Sequence, residues 1–317
     1  MIKTAEFVTP KHPDKICDLI ADTILDAYLA EDPDSRVAVE VMGGHGKVRV
    51  SGEVTSEAAA VSIVDIVKSI EGGHAEADVQ ISRQSPFIAQ GVDIGGAGDQ
   101  GIMVGFACRD TENFMPLEYE TARNLCQELY KAYPYDGKVQ VTMEDGKALT
   151  VVASFQNSSS IELERLARLI LPAGNYLVNP AGEWTQGGFE SDSGLSGRKL
   201  VVDSYGPQVP IGGGSFSGKD YTKVDRSGAY MARKIAVDYL KKFDCQTVTI
   251  KLAYAIGKAE PVMAVGLLDE KKIVKIEGYD LSPAGIKNAL NLEAVRYADT
   301  AVWGHFGRGF TWDMVDK

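Results

Sequence analysis

One stretch of sequence, HPDKICDLIADTILDAYLAEDPDSRVAVEVMGGHGKVRVSGEV (residues 12–54), combines a helical pattern with two strand patterns. Apolar residues recur at helical spacing after the HPDK segment, and Pro33 predicts the end of this helix. Residues 36–42 and 47–54 predict two strands, with Gly43-Gly44 as the hairpin turn between them. A helix followed by a strand pair indicates an α+β unit.

The rest of the chain continues this alternation, so that the pattern occurs about three times without a detectable sequence repeat. Further helices are predicted at 56–70, 116–133, 159–171 and 222–243, and further strands at 102–107, 138–144, 148–155, 247–256 and 262–268. The glycine-rich segment 82–101 predicts a mobile loop, and 182–217 is also glycine-rich. No low-complexity linker separates the segments. We therefore predict an α+β fold of three similar units that pack as one body.

The composition excludes several classes of protein. The 317 residues include 44 acidic and 33 basic ones, for a net charge of −11, which disfavours nucleic acid and anionic membranes as partners. No apolar run approaches the roughly 20 residues of a spanning helix, and the first residues lack the apolar core of a signal peptide. The four cysteines are scattered without a CxxC pair, which disfavours zinc and disulfides. We therefore expect a cytoplasmic protein.

Two segments match phosphate-loop templates in part. GAGDQG (96–101) satisfies GxGxxG, but the predicted strand follows it instead of preceding it, so we reject a dinucleotide site. GGSFSGKD (213–220) fits GxxxxGK, but Asp220 stands where a P-loop has Ser or Thr, and no apolar strand precedes it. Its glycines still leave backbone N–H groups available to an anion.

Several cations lie beside glycines or at the start of the helix that follows them, at positions 138, 198, 199, 219, 223 and 226. Each one alone is usually a solvated surface charge. Together, in an acidic protein, they indicate one positive cleft, and a polyphosphate is the ligand that suits Lys and Arg. A bound polyphosphate would bring Mg²⁺, held by one or two carboxylates. Asp14 and Asp225, each in the first turn of a predicted helix, are the candidates, although such residues are often only caps.

The sequence offers no clear enzyme nucleophile. There is no GxSxG elbow and no HExxH motif, and Arg109 beside Cys108 is weak evidence for a thiolate. His12 begins a helix beside Asp and Lys, whereas the other histidines are expected to be exposed or structural, namely His45, His74 and His305. These absences favour a reaction driven by positioning and electrostatics.

Taken in order, the motifs resemble those of the methionine adenosyltransferase (S-adenosylmethionine synthetase) family over nearly the whole chain. The matching segments are HPDK (12–15), GE (52–53), QSP and QGVD within 84–93, GAGDQG (96–101), DGKVQVT (136–142), NPAG (179–182), GLSGRK (194–199), GGGSFSGKDYTKVDRS (212–227), YAIGKAEP (254–261) and WGHFGR (303–308). The 212–227 segment is highly specific, whereas DGK alone is weak and occurs twice.

The resemblance implies an enzyme that joins ATP and L-methionine into S-adenosylmethionine and then hydrolyses the released tripolyphosphate to pyrophosphate and phosphate. The methionine sulfur would attack C5′ of the ribose by an SN2 step. A thioether has no proton to lose, which agrees with the lack of an obvious base. The resemblance also implies two Mg²⁺ per site, K⁺, and a homodimer with active sites at the interface, with a tetramer as a further possibility.

The resemblance carries site residues over position by position. Catalytic roles fall on His12, Lys138, Arg198, Lys199 and Lys219. ATP binding adds Lys15, Asp136, Gly137, Trp184, Asp192 and Ser215 to these five. Methionine binding falls on Glu53, Gln84, Asp99, Asp192 and Lys223. The metal ligands are Asp14 and Asp225 for Mg²⁺ and Glu40 for K⁺. In the implied dimer, His12, Asp14 and Glu53 would face motifs of the other subunit.

Three departures from the family pattern stand out. Trp184 occupies the place of the aromatic, usually Phe, that stacks on adenine, and Glu183 replaces a usual basic residue. Only Ile94-Gly95 joins QGVD to GAGDQG, so the gating loop over the active site is short. Two alternatives stay open at this point: a P-loop phosphotransferase that makes ADP, and a family member with lost or altered activity that acts as a binding or regulatory subunit.

The family fold implies three similar α+β domains in a pseudo-threefold arrangement, interleaved along the chain. The expected boundaries are 11–109 for the first unit, 1–10 with 110–205 for the second, and 206–317 for the third.

Overall fold

The computed structural model describes residues 1–73 and 75–314. In this part of the chain the helices are α1 (Pro13–Glu31), α2 (Ile63–Glu71), α3 (Pro86–Val92), α4 (Leu117–Ala132), α5 (Ser160–Ile170), α6 (Leu200–Asp203), α7 (Val224–Lys242) and α8 (Pro283–Ala289). The strands are β1 (Ile2–Val8), β2 (Arg36–Gly44), β3 (Lys47–Thr55), β4 (Glu76–Ser82), β5 (Gly101–Cys108), β6 (Gly137–Glu144), β7 (Lys147–Phe155), β8 (Ala173–Val178), β9 (Gly194–Leu195), β10 (Thr247–Tyr254), β11 (Met263–Leu268) and β12 (Lys272–Lys275).

The strands form three four-stranded sheets, of order β4-β3-β2-β9, β8-β7-β6-β1 and β12-β11-β10-β5. Each sheet is built on a hairpin that follows a long helix, α1, α4 or α7. In the first two sheets a short helix then leads to a strand parallel to the second hairpin strand. In the third sheet β12 follows directly and is antiparallel. Three units of this kind are the predicted α+β architecture.

The remaining strand of each sheet comes from a distant part of the chain. β1 precedes α1 but pairs with β6, β5 precedes α4 but pairs with β10, and β9 precedes α7 but pairs with β2. Each edge strand thus completes the sheet of another unit, in cyclic order. Because each sheet contains one strand from another unit, the three units share one core.

Two strands pair outside the expected unit that contains them. Residues 101–108 lie within the expected first unit (11–109) and form an edge strand of the third sheet. Residues 194–195 lie within the expected second unit and pair with β2 in the first sheet. Both strands pair with segments far away in the sequence, which hydrophobic pattern cannot reveal. The division into units stays a prediction.

The long helices cover the sheets because their apolar residues face inward. α1 buries Ile20, Ile24 and Leu25 against the first sheet, and α7 packs on β5 and β10. The contact between α7 and β5 is close, since a Cβ on Gly105 would lie 2.1 Å from the carbonyl of Ala232. A larger residue at position 105 would push α7 off the sheet.

Several local predictions are wrong. The first hairpin turns at His45-Gly46, where both φ angles are positive (51° and 81°), and not at Gly43-Gly44. The second helix begins at Ile63, because residues 56–62 lack regular structure and Ser62 caps the helix. Five strands were not predicted, namely β1, β4, β8, β9 and β12.

Segment 82–101 is not the unstructured loop that its glycines predict. It contains α3, and its second half is bound to the rest of the protein: the Ala97 amide donates to the Lys258 carbonyl (2.9 Å) and the Gly257 amide to the Ala97 carbonyl (2.8 Å). A Cβ on Gly96 would lie 2.4 Å from the carbonyl carbon of Gly257. The glycines therefore permit close backbone packing.

Candidate active site

The first group of candidate residues surrounds the start of α1. The Asp14 carboxylate is 1% exposed and accepts hydrogen bonds from Lys199 Nζ (2.5 Å) and the Leu195 amide (2.9 Å), with Arg198 Nε at 3.5 Å. Burial raises the pKa of Asp14, but the bonds from Lys199 and Leu195 outweigh it and hold that pKa below its ordinary value. Asp14 is thus an anion with two cations, Lys199 and Arg198, beside its carboxylate.

His12 caps the same helix. Its Nδ1 accepts the Asp14 amide at 3.2 Å, which assigns the ring proton to Nε2. Burial, followed by the positive charge of Lys199, lowers the pKa of His12 to about 4. The imidazole is therefore neutral at physiological pH and acts as a hydrogen-bond donor through Nε2.

The remaining ATP candidates of this group lie close by. Asp136, at the start of β6, accepts the Gly188 amide (2.9 Å), and burial raises its pKa. Gly137 is buried beside it, and Lys138 lies on the surface with Glu6 at 3.0 Å. The charges of Lys138 and Asp192 both reach His12.

The Trp184 region belongs to the second sheet. The Trp184 indole is half-buried and donates from Nε1 to Ser154 Oγ at 3.2 Å. The Glu183 carboxylate accepts the Ser160 amide (2.7 Å) at the first residue of α5, whose N-cap Ser159 makes no side-chain bond. Glu183 therefore acts as the cap of α5.

A second group lines a separate cleft between the first sheet and the start of α7, formed by Glu53, Gln84, Asp99, Lys219, Lys223 and Asp225. Lys219 Nζ lies 2.8 Å from Asp225 Oδ2, and Lys223 Nζ lies 2.5 Å from Asp220 Oδ2. Gln84 Oε1 is buried and has no hydrogen-bond partner among the described residues. An unpaired buried acceptor in a cleft marks a place for a donor from a ligand.

Glu40 connects the two groups. It accepts a short hydrogen bond from Ser196 Oγ, beside Arg198, and lies 3.4 Å from Ser215 Oγ, in the loop that leads to Lys219. All predicted site residues except Lys15 and Trp184 thus lie in the two groups or between them.

Lys15 is paired inside the protein. Its ammonium group is 3% exposed and binds Asp18 (2.9 Å) and Asp203 (2.5 Å). Burial lowers its pKa, but these two carboxylates outweigh burial and raise it, so Lys15 is a buried cation. These two partners hold the ammonium group away from the cleft, and the ATP contact of Lys15 stays a prediction.

Three other acidic residues of α1 were missed by the sequence reasoning. Asp18, Asp22 and Asp26 follow Asp14 at intervals of four, the spacing of one helix face, and this signal was visible in DKICDLIADTILD. Asp18 and Asp22 are buried.

Among the described residues no group of three or more His, Cys, Asp or Glu side chains is placed to hold a metal. Single carboxylates, one in each group, still fit Mg²⁺, which binds one or two carboxylates and completes its shell with substrate phosphates and water. Asp14 fits best, since its lowered pKa keeps it ionised.

The GAGDQG segment, the other histidines and the cysteines were also subjects of prediction. The GAGDQG segment runs into β5, so its context is the reverse of a dinucleotide site. His45 is exposed, and His305 is buried with its Nδ1 2.7 Å from Tyr230 Oη, whereas His74 lies outside the described residues. All four cysteines are buried, and burial raises the pKa of Cys108 to about 12, so it is not an activated thiolate.

Family profiles match almost all of the chain. The profiles described as S-adenosylmethionine synthetase N-terminal, central and C-terminal domain match residues 1–90, 94–183 and 186–314. The chain belongs to the S-adenosylmethionine synthetase family. This confirms the resemblance seen in the motifs.

Similar proteins agree with this assignment. S-adenosylmethionine synthases from Nitratiruptor sp. and Nocardia farcinica are each 40% identical to the chain, covering 99% of it and 95% of the relative. The Nitratiruptor alignment spans 369 positions against 317 residues here, so that relative has segments this family member lacks. A solved S-adenosylmethionine synthetase from Campylobacter jejuni, described as unusual, has a TM-score of 0.89 at 32% identity and covers 99% of this chain and 97% of that one.

The structural match confirms the three-unit α+β fold of the family. Among the described residues, no helix combines the length and apolar character needed to cross a membrane.

Proposed function

We propose that the protein is a methionine adenosyltransferase: it converts ATP, L-methionine and water into S-adenosylmethionine, pyrophosphate and phosphate. Family membership over the whole chain supports the overall reaction. The observation that supports the mechanism is the placement of Arg198, Lys199 and Lys219 on two loops beside Asp14 and Asp225. The alternative of an inactive binding subunit has no support in these relatives, and cytoplasmic location stays a prediction.

The adenosyl transfer is attack of the methionine sulfur on C5′ with departure of the whole tripolyphosphate. The sulfur lone pair forms the S–C bond while the C–O bond breaks, and no proton has to move. The barrier arises from negative charge that grows on the leaving chain. Arg198, Lys199 and Lys219 would stabilise that charge, and the neutral His12 would donate from Nε2 to an oxygen near C5′.

Mg²⁺, when bound, supplies positive charge to the phosphate oxygens. Asp14 and Asp225 are the residues that would hold it, two ions to a site, and Glu40 would hold K⁺. In the described chain both Asp residues are paired with lysines, so binding of phosphate and cation would redistribute these pairs.

The second cleft suits methionine. Gln84 Oε1 lacks a partner among the described residues and, with the carboxylates of Glu53 and Asp99, suits the substrate ammonium group. Lys223 suits the substrate carboxylate. Asp192, at the other group, stays the fifth predicted methionine contact.

We further propose a homodimer whose active sites each combine the Asp14 group of one chain with the Asp225 group of the other. The supporting observation is that neither group contains both metal-binding carboxylates. A closed twofold arrangement would form two such sites per dimer. A tetramer is compatible with this arrangement.

The reaction is tested by incubating the protein with ATP, methionine, Mg²⁺ and K⁺ and analysing the mixture by mass spectrometry. We expect S-adenosylmethionine with pyrophosphate and phosphate, and losses of about 10²–10³-fold in rate for Lys219→Ala and Asp225→Ala. Formation of ADP without S-adenosylmethionine, or normal synthesis by both variants, would contradict the proposal.

A further inference from the structure

Four aspartates, which we call the acidic row, follow one face of α1 at positions 14, 18, 22 and 26. Side chains four residues apart lie one above the other on a helix. The first three are at most 1% exposed, although buried carboxylates are rare unless they are paired. Each member must therefore have partners inside the protein.

Each member of the row accepts at least one backbone amide from a distant loop. Asp14 accepts Leu195 (2.9 Å) and Asp18 accepts Gly197 (2.9 Å). Asp22 accepts Gly218 (2.8 Å), and Asp26 accepts both Tyr297 and Ala298 (2.8 Å each). The row thus holds three loops against one helix. Two of the loops carry the cations of the candidate site, and the third does not.

The contact of Asp22 leads directly to Lys219. Its second oxygen binds Arg226, which is 1% exposed, at 2.5 Å, and Arg226 donates from Nη1 to the Lys219 carbonyl at 3.0 Å. The amide before Lys219 and the carbonyl of Lys219 itself are therefore held by one buried ion pair. Gly218 has φ +78°, and a Cβ there would lie 2.2 Å from the Val39 carbonyl, so this backbone has little freedom to shift.

The contact of Asp18 is equivalent on the other loop. The Gly197 amide that it accepts immediately precedes Arg198 and Lys199, and Lys15 balances its charge at 2.9 Å. Lys15 also binds Asp203, so its ammonium group keeps one carboxylate partner when Asp18 is replaced. Asp18 and Asp22 therefore each bind the amide of the glycine that directly precedes a cation assigned to the phosphate chain.

We infer that Asp18 and Asp22 are positioning residues: Asp18 fixes Arg198–Lys199 through the Gly197 amide, and Asp22 fixes Lys219 through the Gly218 amide, each relative to α1. This inference rests on the proposed function. Neither side chain touches the cleft, so neither is catalytic in itself. In the proposed dimer each tripolyphosphate meets Arg198–Lys199 of one chain and Lys219 of the other, so Asp18 and Asp22 each set the place of one of the two sets of cations. Displacement of a site by about 1 Å costs on the order of 10²-fold in rate.

The test compares Asp22→Asn with Asp26→Asn as a matched control. At position 22 an amide has one acceptor oxygen for two donors, and its NH₂ group must face either Gly218 or Arg226. At position 26 the same change also weakens a pair of amide bonds on the same helix face, but those bonds hold residues 297–298, which lie outside the candidate site. If Asp22 has a purely structural role, the two variants should show similar synthesis kinetics and similar tripolyphosphate affinity.

Two measurements are made on each folded variant: kcat and KM for S-adenosylmethionine synthesis, and affinity for inorganic tripolyphosphate with Mg²⁺ by calorimetry. We expect Asp22→Asn to lose about 10–100-fold in kcat/KM for ATP and at least about 10-fold in tripolyphosphate affinity, with Asp26→Asn within about twofold of the wild type. Asp18→Asn should weaken tripolyphosphate binding in the same direction but less, because Lys15 retains Asp203.

Equal activity and tripolyphosphate affinity in Asp22→Asn and wild type, or equal losses in Asp22→Asn and Asp26→Asn, would overturn the inference. If Asp22→Asn does not fold, Asp18→Asn decides in the same way, and failure of both to fold would identify the row as a purely structural element. A wild-type protein that makes no S-adenosylmethionine would instead refute the proposed function, whereas the calorimetry would still report on the loops.

Discussion

Replacing Lys199 by methionine should destabilise the fold as well as the site, because it removes the closest cation of a buried carboxylate. The side chains of Asp14 and Lys199 are 1% and 14% exposed, and Lys199 Nζ lies 2.5 Å from Asp14 Oδ2. Removing one partner of a buried pair costs about 3–5 kcal/mol. Arg198 at 3.5 Å and the Leu195 amide remain, so we expect the lower end, about 3 kcal/mol.

Urea unfolding at pH 7 and a fixed protein concentration measures this difference. The folded pKa of Asp14 is lowered, so its stabilisation is present at pH values above about 4 and is lost as pH falls further. The control is Lys131→Met, which breaks an exposed pair with Glu128 (2.6 Å, 70% and 48% exposed) and should cost well under about 1 kcal/mol. Equal losses in the two variants would refute the view that Lys199 stabilises a buried Asp14 anion.

The same substitution should change the titration of His12. Lys199 is the second cause, after burial, of the lowered His12 pKa of about 4. In Lys199→Met that pKa should rise towards 6.5, as followed by histidine NMR. An unchanged His12 titration would mean that burial alone sets it.

Three further outcomes are expected. Because His12 has a folded pKa of about 4 and an unfolded value near 6.5, its imidazole binds more protons in the unfolded chain between these values, so the His12 contribution to stability should fall by about 3 kcal/mol from pH 6.5 to 4, and the urea-unfolding difference between wild type and His12→Asn should change by that amount over this range. Glu183→Ala should cost about 1 kcal/mol in the same assay, with KM for ATP unchanged, since it removes the cap of α5; a large KM change would show a role in the site instead. Co-refolding inactive Lys199→Met and Lys219→Met chains should restore about a quarter of wild-type synthesis, since half of the dimers are mixed and each contains one intact site; no recovery would contradict sites shared between chains.

The sequence predicted the elements whose pattern is local. α1, α4 and α7 are long and periodic, prolines bound α1 and α4, and the three central hairpins alternate clearly. β4 and β8 were missed because their pairing is parallel and follows a helical crossover. The pairing of β5 with β10 was not predicted, because β10 lies about 140 residues further along the chain.

In the candidate site, too, local sequence patterns could be predicted, whereas contacts between distant segments could not. Motif resemblance collected nearly all of the side chains that the structure brings into two groups, but it could not show that Lys15 is neutralised by Asp203, 188 residues away. Likewise the spacing of the acidic row was visible, but the amides it binds were not. Burial and distant pairing, which decide whether a charge faces a ligand or another charge, are properties of the folded chain.

We propose that the cations of both loops stabilise one intact tripolyphosphate as it leaves C5′. The most direct measurement uses methionine with β,γ-imido-ATP, whose terminal bridge resists hydrolysis, and follows products by ³¹P NMR and mass spectrometry. We predict S-adenosylmethionine and imidotriphosphate in equal amounts. Adenosine nucleotides shortened by one or two phosphates, without S-adenosylmethionine, would contradict the claim.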